Sequence, residues 1–139
     1  LLNNQCRAGG GIFNSRDRIL ILQESTISGN FASFIGGGIR NGGVLTIEDS
    51  IILDNIADSY GGGIFNGDGL VSIYEGSSIF NNIAHITGGG FYNNSGTVIF
   101  KDLDGKTIQG YLPNNDDYLH IFRGDLALPS NSPNNFFQV

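Results

Sequence analysis

Methionine and tryptophan are absent from this 139-residue chain, cysteine occurs once, proline three times, and only 14% of residues are charged. A lone Cys6 leaves no internal disulfide to form and identifies no redox compartment. No apolar run approaches the roughly 20 residues a membrane-spanning helix needs, and no signal-peptide pattern is visible. A net charge of −6 sets the protein's own field against nucleic-acid phosphates, which argues against a nucleic-acid partner. Alanine is scarce, so helices lack their best former. A chain that opens on Leu1 reads as processed or excised.

What the chain has is glycine, 22 residues of it, together with abundant asparagine. Both suit tight corners and not helix interiors. The glycines are ordered. Triplets open at Gly9, Gly36, Gly61 and Gly88, spaced 27, 25 and 27 residues apart. Each is followed by an apolar residue, a large residue and an asparagine: Ile12-Phe13-Asn14, Ile39-Arg40-Asn41, Ile64-Phe65-Asn66 and Phe91-Tyr92-Asn93.

Each unit continues with an apolar-x-apolar run (Leu20/Leu22, Leu45/Ile47, Val71/Ile73, Val98/Phe100) and then apolar-x-x-Asn (Ile27/Asn30, Ile52/Asn55, Ile79/Asn82). Two places on sits Ala32, Ala57 or Ala84. The N-terminus matches the tail of a unit, with Leu1, Asn4 and Cys6 in the corresponding slots.

Three short strands per unit of about 25 residues, with no helix signal between them, describe one turn of a solenoid. The expected fold is an all-β, right-handed parallel β-helix of about four to five coils, its strands stacked about 4.8 Å apart. Residues 1–111 form the repeats and 112–139 a C-terminal cap and tail, since no fifth triplet follows and Tyr111 stands where asparagine is expected. The tail has one strand-like stretch, 118–122. Alternation points the apolar residue after each triplet inward together with the middle glycines Gly10, Gly37, Gly62 and Gly89. Their missing side chains are expected to leave space for Leu and Ile from the other sheets, and the flanking glycines to take left-handed conformations. Asn14, Asn41, Asn66 and Asn93, and likewise Asn30, Asn55 and Asn82, are placed to form ladders between coils.

The paired GGG-Ile/Phe and Ile-x-x-Asn motifs resemble the GGA[ILV] and FxxN repeats of the chlamydial polymorphic outer-membrane proteins and related adhesin-like β-helix proteins. The resemblance spans residues 1–111. It departs in carrying Gly at the third triplet position and Ile in place of Phe. It implies a surface-exposed or secreted element used in adhesion.

Outward positions offer little chemistry. The first strands present Phe13, Arg40, Phe65 and Tyr92, the second Ile21, Thr46, Ser72 and Ile99, and the third Ile51, Leu53, Ser78, Phe80, Thr107 and Gln109 among others. Only Arg40 is charged there, so the carboxylate pair of glycosidic catalysis is missing, and the expected class is non-catalytic, with no required cofactor. Acidic residues gather at corners (Glu24, Glu48, Asp49, Glu75), where solvation and Ca²⁺ are both conceivable. The Asp102-Leu103-Asp104-Gly105 stretch only partly matches a calcium loop. His85 and His120 lack metal-spaced partners. Arg123-Gly124-Asp125 spells an integrin-type tripeptide.

Two surfaces stand out as interaction candidates. Arg40 is placed to lie between Phe13 and Phe65, either as part of a self-stacking ladder or as a platform for sugars or a host protein. Ile51, Leu53 and Phe80 form an outward apolar patch that Phe136, Phe137 and Val139 of the tail, on the same subunit or a neighbouring one, are expected to cover. Three functions follow: a structural or adhesive cell-surface element, a head-to-tail extracellular filament whose partner is the chain itself, and a fragment of a carbohydrate-active enzyme.

Overall fold

A computed structural model of the protein describes residues 1–107 together with the two strands 119–120 and 136–138. Strand β1 (Gln5–Ala8) precedes the first triplet. The first coil then holds β2 (Ile12–Asn14), β3 (Ile19–Gln23), β4 (Thr26–Ser28) and β5 (Phe31–Ile35). The second holds β6 (Ile39–Asn41), β7 (Val44–Glu48), β8 (Ile51–Leu53) and β9 (Ile56–Ala57). The third holds β10 (Ile64–Asn66), β11 (Leu70–Tyr74), β12 (Ser78–Phe80) and β13 (Ile83–Ala84). After them come β14 (Phe91–Asn93), β15 (Thr97–Lys101), β16 (Leu119–His120) and β17 (Phe136–Gln138). Among the described residues there is no helix.

Strands pair with their equivalents one coil away, in parallel and in the register of the repeat. The first sheet runs β2-β6-β10-β14-β17, the second β3-β7-β11-β15, the third β4-β8-β12-β16 and the fourth β1-β5-β9-β13. The protein is a β-solenoid of about four turns. The fourth sheet is an addition to the three strands per coil expected from sequence. The apolar-small pair after each second asparagine is itself a short strand, with Cys6, Ala32, Ala57 and Ala84 aligned as one column.

The interior is a stack of rungs. Ile39 and Ile64, Leu45 and Ile47, Ile52 and Ile79, and Val71 and Ile73 are fully buried in one cluster. The alanines of the fourth sheet close the narrow side. Aliphatic side chains fill the space between sheets, and the small column keeps the cross-section flat.

The glycine triplet is explained by backbone contact. A Cβ on Gly37 would strike the carbonyl oxygens of Gly62 and Ile56 and come within 2.5 Å of the Ile56 carbonyl carbon. The space at the middle position is therefore occupied by main chain, of the next triplet and of the fourth strand that ends its own coil, not by Leu and Ile side chains as the sequence suggested. The first glycine does turn left-handed (Gly36, φ 66°). The third does not: Gly38 is small because the Gly63 carbonyl oxygen lies 2.7 Å, and the Asn55 amide 3.0 Å, from where its Cβ would sit.

Corner lengths differ between coils. Four residues join β2 to β3, two join β6 to β7, and three join β10 to β11 and β14 to β15. Two residues join β3 to β4 and β7 to β8, and three join β11 to β12. From each alanine to the next triplet the spacing is constant.

Candidate functional site

The asparagines form two continuous ladders. In the first, Asn14 donates to Asn41, Asn41 to Asn66 and Asn66 to Asn93, each from Nδ2 to Oδ1, at 2.7, 2.8 and 2.7 Å. In the second, Asn4, Asn30 and Asn55 donate likewise to Asn30, Asn55 and Asn82 at 3.0, 2.9 and 3.0 Å. Each acceptor oxygen of the second ladder also takes the backbone N–H of the asparagine below, at 3.0 Å. Asn41, Asn55, Asn66 and Asn82 have no solvent exposure. Buried amides persist only when satisfied, and the stack satisfies them.

Sequence reasoning missed two columns that support these ladders. The residue before each second-ladder asparagine has positive φ: Asn3, Gly29, Asp54 and Asn81 at 55°, 64°, 54° and 54°. The signal was available, since only Gly, Asn and Asp occupy that slot and all tolerate the left-handed region. The first ladder's amides also donate to the carbonyls of Gly43, Gly69 and Gly96, which lie just before the second-sheet strands.

On the first sheet Phe13, Arg40, Phe65 and Tyr92 align in one outward column. The Arg40 guanidinium lies over Phe13, 4.8 Å from the ring centre. Phe65 stacks on Tyr92 instead, with centroids 5.4 Å apart and planes within 9°, and Tyr92 also meets Tyr60 at 4.9 Å. The expected sandwich is thus one-sided, because the second ring turns to an aromatic partner. Burial, and then the neighbouring Tyr60, raise the Tyr92 phenol above its ordinary pKa.

On the third sheet Ile51 is exposed, while Leu53 and Phe80 are half-buried. Within this chain the backbone of Phe136 and Phe137 runs along the first sheet, not over this patch. Strand β17 pairs with β14 on the first sheet, placing Phe136, Phe137 and Gln138 in register with Phe91, Tyr92 and Asn93. Its apolar-large-polar order repeats that of the strands below it, so the same pairing continues. Strand β16 falls within the strand-like stretch 118–122 and pairs antiparallel with β12. Gln109, Tyr111, the Arg123-Gly124-Asp125 tripeptide and Val139 lie outside the described residues. Other exposed apolar side chains near the first coil are Ile19 (73% exposed) and Ile21 (58%) on the second sheet, Leu2 (64%) beside β4, and Phe13 (56%) on the first.

Several polar groups outside the ladders are also engaged. Asp102 Oδ1 accepts the N–H groups of Asp104 and Lys106 at 3.0 and 2.8 Å, so this turn is closed by its own backbone. Glu48 accepts the Gln23 amide at 2.7 Å. Asp68 accepts the Ser95 hydroxyl at 2.9 Å and pairs with Arg16 at 2.6 Å, tying three coils together at their surface. The Ser95 hydrogen bond first, and Arg16 second, hold its carboxyl below the ordinary range. His85 Nδ1 lies 3.3 Å from Asp58, both well exposed. Cys6 is a free, exposed thiol. Among the described residues no group of three His, Cys, Asp or Glu side chains is placed to hold a metal ion, and no helix is long and apolar enough to cross a membrane.

Compared with protein-family models, with curated proteins and with solved structures, the chain matches none.

Proposed function

We propose that this solenoid is a non-catalytic structural element displayed outside the cell, acting through its lateral faces as an adhesive surface. One observation carries the reading: the buried amides and much of the outward aromatic and charged column are spent on holding coil to coil. The asparagine amides bond to one another, Phe65 stacks on Tyr92, and the Asp68 carboxylate takes donors from Ser95 and Arg16 of other coils. The repeat's resemblance to adhesin-like proteins supports the surface location. The exposed Ile19 and Ile21 of β3 supply an apolar strip of the kind that meets partners.

The test is attachment of cells to the immobilised chain, run beside assays of polysaccharide cleavage. The expected result is saturable attachment that weakens when Ile19 and Ile21 are both replaced by Ser, with no cleavage. Turnover of a polysaccharide, or attachment indifferent to those two positions, overturns it.

A second reading, head-to-tail filaments of this chain, is favoured by the charge gradient along the stack. Residues 1–43 carry four basic and two acidic side chains, whereas residues 44–107 carry two basic and eight acidic. Opposite poles attract end to end, and such contacts do not close. Electron microscopy of the same preparation separates the two readings: filaments that dissolve in high salt belong to the second.

A further inference from the structure

Two glycines in the repeat are not required by the fold. Gly42 and Gly67 have no left-handed φ. A Cβ on Gly67 would meet nothing closer than 3.6 Å, and one on Gly42 would meet only the movable tip of Arg40, at 2.7 Å. Their neighbours Gly43 and Gly69 differ, because a Cβ there would collide with main-chain carbonyls of the adjacent coil. Yet Gly42 and Gly67 each follow a ladder asparagine. An unhindered glycine nitrogen is the best nucleophile a chain can offer an asparagine side chain, so Asn-Gly is the peptide bond most prone to deamidation.

We propose that Asn41-Gly42 and Asn66-Gly67 are latent deamidation sites, silenced by the stacked fold and released when a coil opens. In the reaction the Gly42 nitrogen bonds to Asn41 Cγ, and the bond from Cγ to the side-chain nitrogen breaks. Ammonia leaves with the amide proton, and a five-membered imide remains. One water molecule from solvent then opens the imide at either carbonyl, giving aspartate or isoaspartate. The folded chain blocks the first step twice. Asn41 lies in extended strand β6 with its side-chain nitrogen bonded to Asn66 Oδ1 at 2.8 Å and to the Gly43 carbonyl at 3.1 Å. The attacking Gly42 N–H is held by the Asn14 carbonyl at 2.8 Å. Asn66 and Gly67 are held in the same way, by Asn93 and Gly69 and by the Asn41 carbonyl.

The product cannot return to the stack. A carboxylate at position 41 loses both donors and faces two acceptor oxygens at a site with no solvent exposure. Isoaspartate adds a methylene to the main chain and leaves a carboxylate one carbon shorter where the ladder amide stood. A solenoid that unfolds at neutral or alkaline pH is thereby marked and excluded from refolding.

The experiment incubates the full chain at mildly alkaline pH, native and in urea, and follows ammonia-loss products at each asparagine by peptide mass spectrometry. Deamidation at 41 and 66 is expected to be at least about a hundredfold slower in the native chain, because attack requires the coil to open. The refolding yield of the urea sample is expected to fall in step with deamidation. A Gly42→Ala/Gly67→Ala variant is expected to fold natively and to keep its refolding yield over the same incubation. Equal native and unfolded rates, or full refolding of the deamidated chain, overturn the proposal. So does loss of refolding by the variant at the parent rate.

Discussion

At the scale of single residues, the solenoid is held by groups with no freedom to be anything else. Gly37 is the clearest, because the atoms facing its missing Cβ are backbone carbonyls of two other segments. Carbonyls that form the inter-coil ladder cannot retreat without breaking it. Gly37→Ala is therefore expected to cost about 2–4 kcal/mol, as overpacking against rigid neighbours does. Urea denaturation checks it, as a lower midpoint at unchanged slope. The sequence marked this glycine by its repetition, but the reason for it was not legible. A contact between a triplet and the fourth-sheet strand that ends its own coil joins positions that are not equivalent, and periodicity displays only equivalent ones.

At the scale of the element, the outward column of the first sheet shows how one strand conditions the next. Stacking of Phe65 on Tyr92 and the approach of Tyr60 bury the phenol and keep it protonated. In the unfolded chain that phenol ionises near its ordinary value of 10.0, while the folded chain still holds the proton. Stability from this group is then complete below pH 10 and declines as pH rises from there to the folded pKa. The thermal midpoint is expected to drop across that window, and Tyr92→Phe to flatten the drop. Strand positions, inward faces and both asparagine ladders were legible because each recurs with the period of the repeat. The fourth strand was legible only as a small-residue slot, being two residues long in its later copies. The partners of Arg40 were not legible, since a column of equivalent positions does not reveal which neighbour a side chain turns toward.

At the scale of the whole molecule, four sheets wind around one interior, and the asparagine amides are turned inward and along the axis. Solenoid stability of this kind is a sum over neighbours, so any change that preserves the stacking of rungs is local in its effect. The Asp68 link to Arg16 and Ser95 is the exception on the surface, spanning coils that are not adjacent. Sequence could not reveal it, because corner residues vary from coil to coil.

The unequal corners make two edges of this prism elastic and the others stiff. Between the first and second sheets the natural connections already range from two to four residues, so extra chain there bulges into solvent without disturbing a rung. A short Gly/Ser-rich graft after Asp17 is expected to shift unfolding by less than about 1 kcal/mol, while the same graft after Asp58, in the stretch of fixed length, abolishes the cooperative transition seen by circular dichroism. A foreign epitope seated at the elastic edge would be carried at a set height on the shaft, which makes the corner a natural port for display.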